Sequence, residues 1–391
     1  MNNYKKTIGT GILLGLVAGV AWAASRRYVS SSPRLINWDQ VRRIAIATCK
    51  QSAVGYPFSR GTLTASFTEM VQQAEGPIAA YTRRELPQPL RSIHVFDRIE
   101  WIDANIANFR LLFEPFERLN EQAHEQSSTG ARIVGGFNQM VLSGQMGLLM
   151  GYLAQRVLGQ YDLSLLGREP ITAGRLYFVE PNIRELQQGL GLDPKEFRMW
   201  IALHETTHAY EFEATAWLRG HMNSLLNRYF KTISADFMNV HSSQSGLRTL
   251  AGRIGTNLFR SGNVLELMMT REQRHIFHQL QALMSLLEGY SNHVMDQVGR
   301  SLLPSYEHLK ERFEERVKNK SVGERLFAKL TGLDVKMEQY TLGERFVSEV
   351  ARRRGIEFVN LAWESSLSLP TLDEVREPAR WIKRMERMAV A

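Results

Sequence analysis

The stretch Asp193-Pro194-Lys195-Glu196-Phe197-Arg198-Met199-Trp200-Ile201-Ala202-Leu203-His204-Glu205-Thr206-Thr207-His208 decides how the rest of the chain is read. Asp193 stands at a helix N-cap and Pro194 at the first helical position, where its missing N–H costs nothing. Glu196, three residues after the cap, completes a capping box. The helix therefore has a fixed start. From there Phe197, Trp200, Ile201 and Leu203 supply an apolar body, and two histidines follow four residues apart. Residues at that spacing differ in direction by about 40°, so both imidazoles project from one helix face and can meet one ion at about 2.0–2.1 Å. Glu205 is one residue out of register with the pair, beside the position that such an ion leaves open. A carboxylate there can take a proton from a water and later deliver it to a leaving group, so Glu205 is the candidate general base.

With ten histidines in 391 residues, His-Glu-x-x-His arises by chance about once or twice in a hundred such sequences, so its setting has to be weighed. Ile201, Ala202, Leu203, Thr206, Thr207, Ala209 and Tyr210 are all uncharged, as a buried metal-facing helix requires. Two histidines satisfied by solvent or by core neighbours would not need such a flank. The single cysteine, Cys49, rules out an intrachain disulfide and a cysteine-built site, so a zinc ion here takes histidines and carboxylates.

A catalytic zinc needs a third protein ligand and one open position. A third histidine six residues beyond His208 would be the metzincin arrangement, but Ala214 stands there. Between Arg274 and Asp296 a helical pattern holds one carboxylate, Glu288, among Leu280, Leu283, Met284, Leu286 and Leu287. An ionised group in so apolar a setting is costly unless it is paired or coordinates a metal. Glu288 is therefore taken as the third ligand, with His221, Glu211, Glu213 and His293 as the other donors of suitable type. Gly289 is expected to let this helix press against the motif helix. Asn292 and Asp296 are expected to reach the histidines from the same face. Tyr210, Tyr290 and His293 are candidate oxyanion stabilisers, each equally readable as a packing residue. His275 and His278 share a face but have no carboxylate nearby, which reads as a solvated pair.

Upstream, Arg175 to Val179 is the convincing strand, aromatic and branched, and stopped by Pro181. Helical spacing runs from Trp38 to Thr48, Thr64 to about Tyr81, His94 to about Leu119, and Ile133 to about Leu158. It returns over Glu272 to Val298, Leu326 to Leu330, Thr341 to Arg354 and Thr371 to Met388. The expectation is a mainly α architecture with a small β-sheet (α+β), as one mainly helical domain over residues 31–391.

The run from Gly174 to Val179 through Pro181-Asn182-Ile183, Asp193 to Arg198 and His204 to His208, as far as Trp217-Leu218-Arg219, resembles a bacterial zincin-like hydrolase family. Its members are described as zinc-dependent metalloproteases or as associated with deazaflavin-coenzyme biosynthesis. Trp38-Asp39, Leu287-Glu288-Gly289 and Val294-Met295-Asp296 extend the resemblance over most of residues 35–370. It implies a zincin-like metallohydrolase fold and names no substrate.

Residues 1–30 read separately. Lys5 and Lys6 precede an uncharged stretch from Thr7 to Ala24, with Arg26 and Arg27 after it. Eighteen helical residues span about 27 Å, enough for a thin bilayer, so a membrane anchor is expected. Ala21-Trp22-Ala23 also imitates a signal-peptide cleavage site. Gly11, Gly15 and Gly19 form a small-residue stripe suited to self-association in a membrane. Downstream arginines place the domain on the cytoplasmic face by the positive-inside rule. The formal charge of +8 is scattered rather than gathered into an arm, which argues against nucleic acid as a partner. The expected function is a zinc metallopeptidase acting on peptide or protein. The alternatives are a small-molecule amide or ester hydrolase and a non-catalytic, membrane-tethered interaction protein with a structural zinc.

Overall fold

The computed structural model describes residues 34–49, 59–125, 129–161, 175–241, 269–318 and 333–389. Residues 1–30, with Gly11, Gly15 and Gly19, and the helix expected over 326–330 lie outside the described residues. Among the described residues no helix is long and apolar enough to cross a membrane.

In chain order the first elements are α1 (Trp38–Thr48), α2 (Arg60–Thr82), β1 (Ser92–Phe96), α3 (Arg98–Glu125) and α4 (Thr129–Ala154). There follow β2 (Gly159–Tyr161), β3 (Arg175–Val179), α5 (Glu180–Leu190), α6 (Pro194–Glu213) and α7 (Ala216–His241). The last are α8 (Arg271–Leu302), α9 (Tyr306–Lys318), α10 (Leu333–Arg354), α11 (Ile356–Asn360), α12 (Leu372–Arg376) and α13 (Pro378–Met388). The architecture is mainly helical with a three-stranded sheet, as expected from the sequence.

The chain divides into two compact units, the first holding α1, α3 and α4 and the second the remaining elements. In the first, Asn37 caps α1 by accepting the Gln40 N–H at 3.0 Å. Asp97 starts α3 through a capping box: its Oδ1 accepts the N–H groups of Ile99 and Glu100 at 2.8 Å, and Glu100 accepts the Asp97 N–H at 2.8 Å. The Glu117 carboxylate on α3 accepts the backbone N–H groups of Leu35 and Ile36, which fixes the entry into α1.

The second unit is built around α6. Almost every side of this helix is buried, from Phe197 to Phe212, which is why its sequence is uncharged around the histidines. Thr206 and Thr207 are fully buried because each hydroxyl donates back to a carbonyl one turn earlier, Ala202 O at 2.6 Å and Leu203 O at 2.9 Å. The sheet has strand order β1-β3-β2, with β2 antiparallel to β3 and Gly159 opposite Phe178. Phe178 stacks on Phe67 of α2 at 4.1 Å between ring centroids, joining sheet to helices.

Two readings of the sequence are corrected here. The pattern beginning at His94 is strand before it is helix, because Ile93 and Val95 alternate into the core and the Asp97 box then begins α3. Gly289 presses not on the motif helix but on α10. An added Cβ there would lie 2.1 Å from the Gly343 carbonyl carbon, and one on Gly343 would lie 1.8 Å from Ser285 O. The α8 and α10 backbones meet at a crossing that admits no side chain on either helix.

Candidate metal centre

His204 and His208 project from the same face of α6, with their rings nearly perpendicular and Nε2 atoms 3.2 Å apart. Glu288, on α8, brings Oε2 to 3.9 Å from His204 Nε2 and 3.8 Å from His208 Nε2. These residues form the one group of three metal-ligating side chains found among the described residues. The point equidistant from the three atoms lies about 2.1 Å from each, which is the length of a zinc bond to imidazole or carboxylate. The donor set thus has the spacing and the chemistry to hold a divalent ion.

The other ring nitrogens are also engaged. His208 Nδ1 lies 2.7 Å from Oε2 of the fully buried Glu211, and His204 Nδ1 lies 3.1 Å from Ser291 Oγ. Partners on Nδ1 turn the Nε2 lone pairs of both rings towards the common point. These partners are Glu211 and Ser291, not the expected Asn292 and Asp296. Asp296 is taken up by the hydroxyl of Tyr306 and by Lys310 Nζ, the latter at 2.6 Å.

Burial alone lowers the affinity of His208 for a proton, but Glu211, Glu288 and Glu205 outweigh it and raise the imidazole to about 9. Burial raises Glu211 to about 7 against the opposing charges of His208 and Arg84. Three carboxylates act on one imidazole, an excess of negative charge that suits a dication.

Glu205 is 6% exposed and lies against β2. An ideal Cβ on Gly159 would be 2.6 Å from its Cγ and Oε1. Only a residue without a side chain leaves the Glu205 carboxylate where it is. β3 is the middle strand of the sheet; β2, beside Glu205, is at the edge among the described residues.

The remaining sequence candidates have other partners. His221 packs on Trp217, and Glu213 accepts from Tyr161 and pairs with Arg219. His293 lies between Tyr81 Oη at 2.7 Å and Ser348 Oγ at 2.9 Å. Tyr210 donates to Glu75 O and Tyr290 to Asn360 Oδ1. His275 and His278 belong to no metal-ligating group among the described residues. The sequence reading missed Gly159, Ser291 and the role of Glu211, whose spacing three residues after His208 was the one available local signal.

A profile of the zincin-like metallopeptidase family matches residues 36–382. No curated protein matches the chain. A crystal structure from Chloroflexus aurantiacus, described as that of a candidate hydrolase with a novel fold, is 40% identical. The alignment covers 90% of this chain and 99% of that one, with a TM-score of 0.66. The chain belongs to the zincin-like metallopeptidase family, a family of hydrolases that implies a bound metal.

Proposed function

We propose that the chain is a zinc-dependent metallopeptidase in which His204, His208 and Glu288 hold the ion and Glu205 is the general base. The observation that carries this reading is the triangle of Nε2, Nε2 and Oε2, whose centre lies one zinc bond length from all three atoms. A zinc ion held there would supply Lewis acidity to a carbonyl oxygen and lower the pKa of a water.

The chain's own residues do the rest. Glu211 and Ser291 orient the imidazoles through Nδ1. Glu205, seated under Gly159, accepts the proton of the attacking water at its carboxylate and passes it to the departing amine nitrogen. Glu205 is itself only 6% exposed, which limits competition from bulk solvent. An extended peptide can add to a sheet edge by main-chain hydrogen bonds, and β2 lies beside Glu205, which favours a peptide over a small amide or ester. A purely structural zinc would more often be closed by four ligands and would have no use for Glu205. The reading also includes a membrane tether through residues 1–30, supported by the uncharged stretch from Thr7 to Ala24 between basic flanks.

The test is zinc per chain in the purified protein together with cleavage of a mixed peptide library. The His204→Ala, His208→Ala double variant should lose the metal. Glu205→Gln should keep it while turnover falls by about two to four orders of magnitude. Stoichiometric zinc in the double variant would end the site assignment. A fully loaded protein that leaves every peptide intact would shift the substrate to a small amide or ester.

A further inference from the structure

The last helix, α13, has one buried and one exposed face. Trp381, Ile382 and Met385 are buried, whereas Arg380, Lys383, Arg387 and Met388 are exposed and Arg384 is half-buried between them. At helical spacing positions 380, 383, 384, 387 and 388 fall on one side, so the outward stripe is cationic except for one methionine. A groove of about 410 Å³ lies along it, lined by Arg380, Lys383, Arg384, Arg387 and Met388.

Nearby acids take up part of this charge. Glu374 accepts from Arg384 at 2.7 and 3.0 Å, Glu377 pairs with Arg380 at 2.7 Å, and Glu386, the one acid within α13, pairs with Arg354 of α10. Lys383 and Arg387 have no ion pair among the described residues. The Arg380–Glu377 pair is more than half exposed, where such pairs are weak and the cation can take another partner.

Beside the stripe stands Leu367, 76% exposed. Its support is fixed from two sides. Arg384 Nη1 donates to Leu367 O at 2.7 Å and Nη2 to Leu369 O at 2.8 Å, while the Trp381 indole donates to the carbonyl of buried Ser368 at 2.9 Å. The same Nη1 lies 3.8 Å from Met388 Sδ. Leu367 and Met388, two of the three large apolar side chains exposed among the described residues, therefore flank one guanidinium.

Cations with apolar side chains at their margin match an anionic bilayer, whose headgroups meet the charges and whose acyl boundary takes up the apolar tips. An acidic peptide or a nucleic acid would meet the charges and leave Leu367 and Met388 in water. An apolar protein partner would leave Lys383 and Arg387 unpaired. The cytoplasmic leaflet, the side expected for this domain from the basic residues after the N-terminal stretch, is the one that carries anionic lipid.

We propose that the outward face of α13, together with Leu367, docks on an anionic phospholipid surface. This deepens the membrane reading above, in which residues 1–30 tether the chain, by adding a contact that depends on lipid charge where an apolar anchor does not.

The experiment places the full chain in vesicles of phosphatidylcholine alone and of phosphatidylcholine with phosphatidylserine, three parts to one. A polarity-sensitive fluorophore sits on Ala389→Cys in a Cys49→Ala background, with doxyl-labelled lipid as quencher. On the serine-containing vesicles the label should shift to the blue and be quenched, and on phosphatidylcholine alone it should stay in water. Each cation near an anionic surface strengthens binding about fivefold, so the Lys383→Gln, Arg387→Gln double variant should lower the docked-to-free ratio about 30-fold. Leu367→Ser should lower it about tenfold or more. Salt at about 1 M, where screening acts within about 3 Å, should bring the signal to that on phosphatidylcholine. Equal signals on the two lipids, or a signal unchanged in either variant, overturns the proposal. A response to polyglutamate or an oligonucleotide with none to vesicles also overturns it and assigns the face to another partner. Flotation of the same samples reads the tether separately: chain that does not float with phosphatidylcholine refutes the tether, while the serine-containing vesicles still test α13.

Discussion

Replacing Gly159 by alanine adds one methyl group directly in front of Glu205, the proposed general base. The new Cβ would stand 2.6 Å from Glu205 Cγ and Oε1 and 2.7 Å from Cδ, where ordinary contacts begin near 3.4 Å. Gly159 is held by its pairing opposite Phe178, so the side chain of Glu205 has to give way, by about 1 Å. Displacement of a catalytic group by that amount costs about 100-fold in rate. Overpacking adds about 1–3 kcal/mol of destabilisation. Zinc affinity should hardly move, because the three atoms nearest the new methyl all belong to Glu205 and none to a proposed ligand. Turnover on the peptide library, zinc per chain and urea unfolding would be measured on Gly159→Ala beside Gly76→Ala. An added Cβ at Gly76 meets nothing within 4 Å, so that change should be neutral or stabilise by about 0.4–1 kcal/mol. Wild-type turnover in Gly159→Ala would refute both the placement of Glu205 under β2 and its part in the reaction.

Glu288→Ala should weaken zinc binding strongly, and Glu288→Asp should also hold the ion poorly, since it keeps the charge but withdraws the oxygen by one methylene; zinc titration of folded protein decides, and full affinity in both would remove Glu288 from the ligands. Gly343→Ala places a Cβ 1.8 Å from Ser285 O, so the α8–α10 crossing must open. The expected cost is about 3 kcal/mol or more by urea unfolding, and a variant as stable as wild type would contradict the crossing. His293 responds to acid. Burial first, and then the Lys310 charge, hold it below its ordinary 6.5, at about 4, despite the opposing charge of Asp296. As pH falls the unfolded chain takes up this proton before the folded one does. Its contribution is therefore intact above about 6.5 and lost on the way down to about 4, at most about 3 kcal/mol. Stability measured against pH should show a shallower acid limb in His293→Gln, and an identical limb would place the titration elsewhere.

The parts of the site that were legible in the sequence are those set by local chemistry. α6 begins at Pro194 because Asp193 caps it, accepting the N–H groups of Lys195 and Glu196, whereas Glu196 does not close the expected box and its carboxylate accepts the Ser305 N–H. α1 has the bounds read from periodicity alone, Trp38–Thr48. Glu288, which the fold brings close to both histidines, stood out as a lone carboxylate on an apolar helix, a signal that needs no knowledge of what faces it. Gly159 and Ser291 were not found because their meaning is set across long separations, 46 residues from Gly159 to Glu205 and 87 from His204 to Ser291. A glycine in a three-residue strand carries no mark of the carboxylate lying against it. The start of α3 is a different case, since Asp97-Arg98-Ile99-Glu100 is a capping box that periodicity from His94 overran.

The crossing at Gly289 and Gly343 has a consequence for how this chain can vary. At most core positions an added methyl on one residue can be offset by a smaller neighbour, so pairs of changes survive where single ones fail. Here both residues are already the smallest available, and each would-be Cβ collides with backbone, not with a side chain that could be trimmed. No second substitution at the partner position can rescue the first. In a library randomised across the second unit, residues 289 and 343 should therefore stay fixed even as their neighbours drift in compensating pairs. The helix carrying Glu288 inherits that constraint. Its depth and rotation against α10 are pinned one residue from the carboxylate, so a selection for a different metal would have to exchange side chains around the ion rather than shift the helix that presents them.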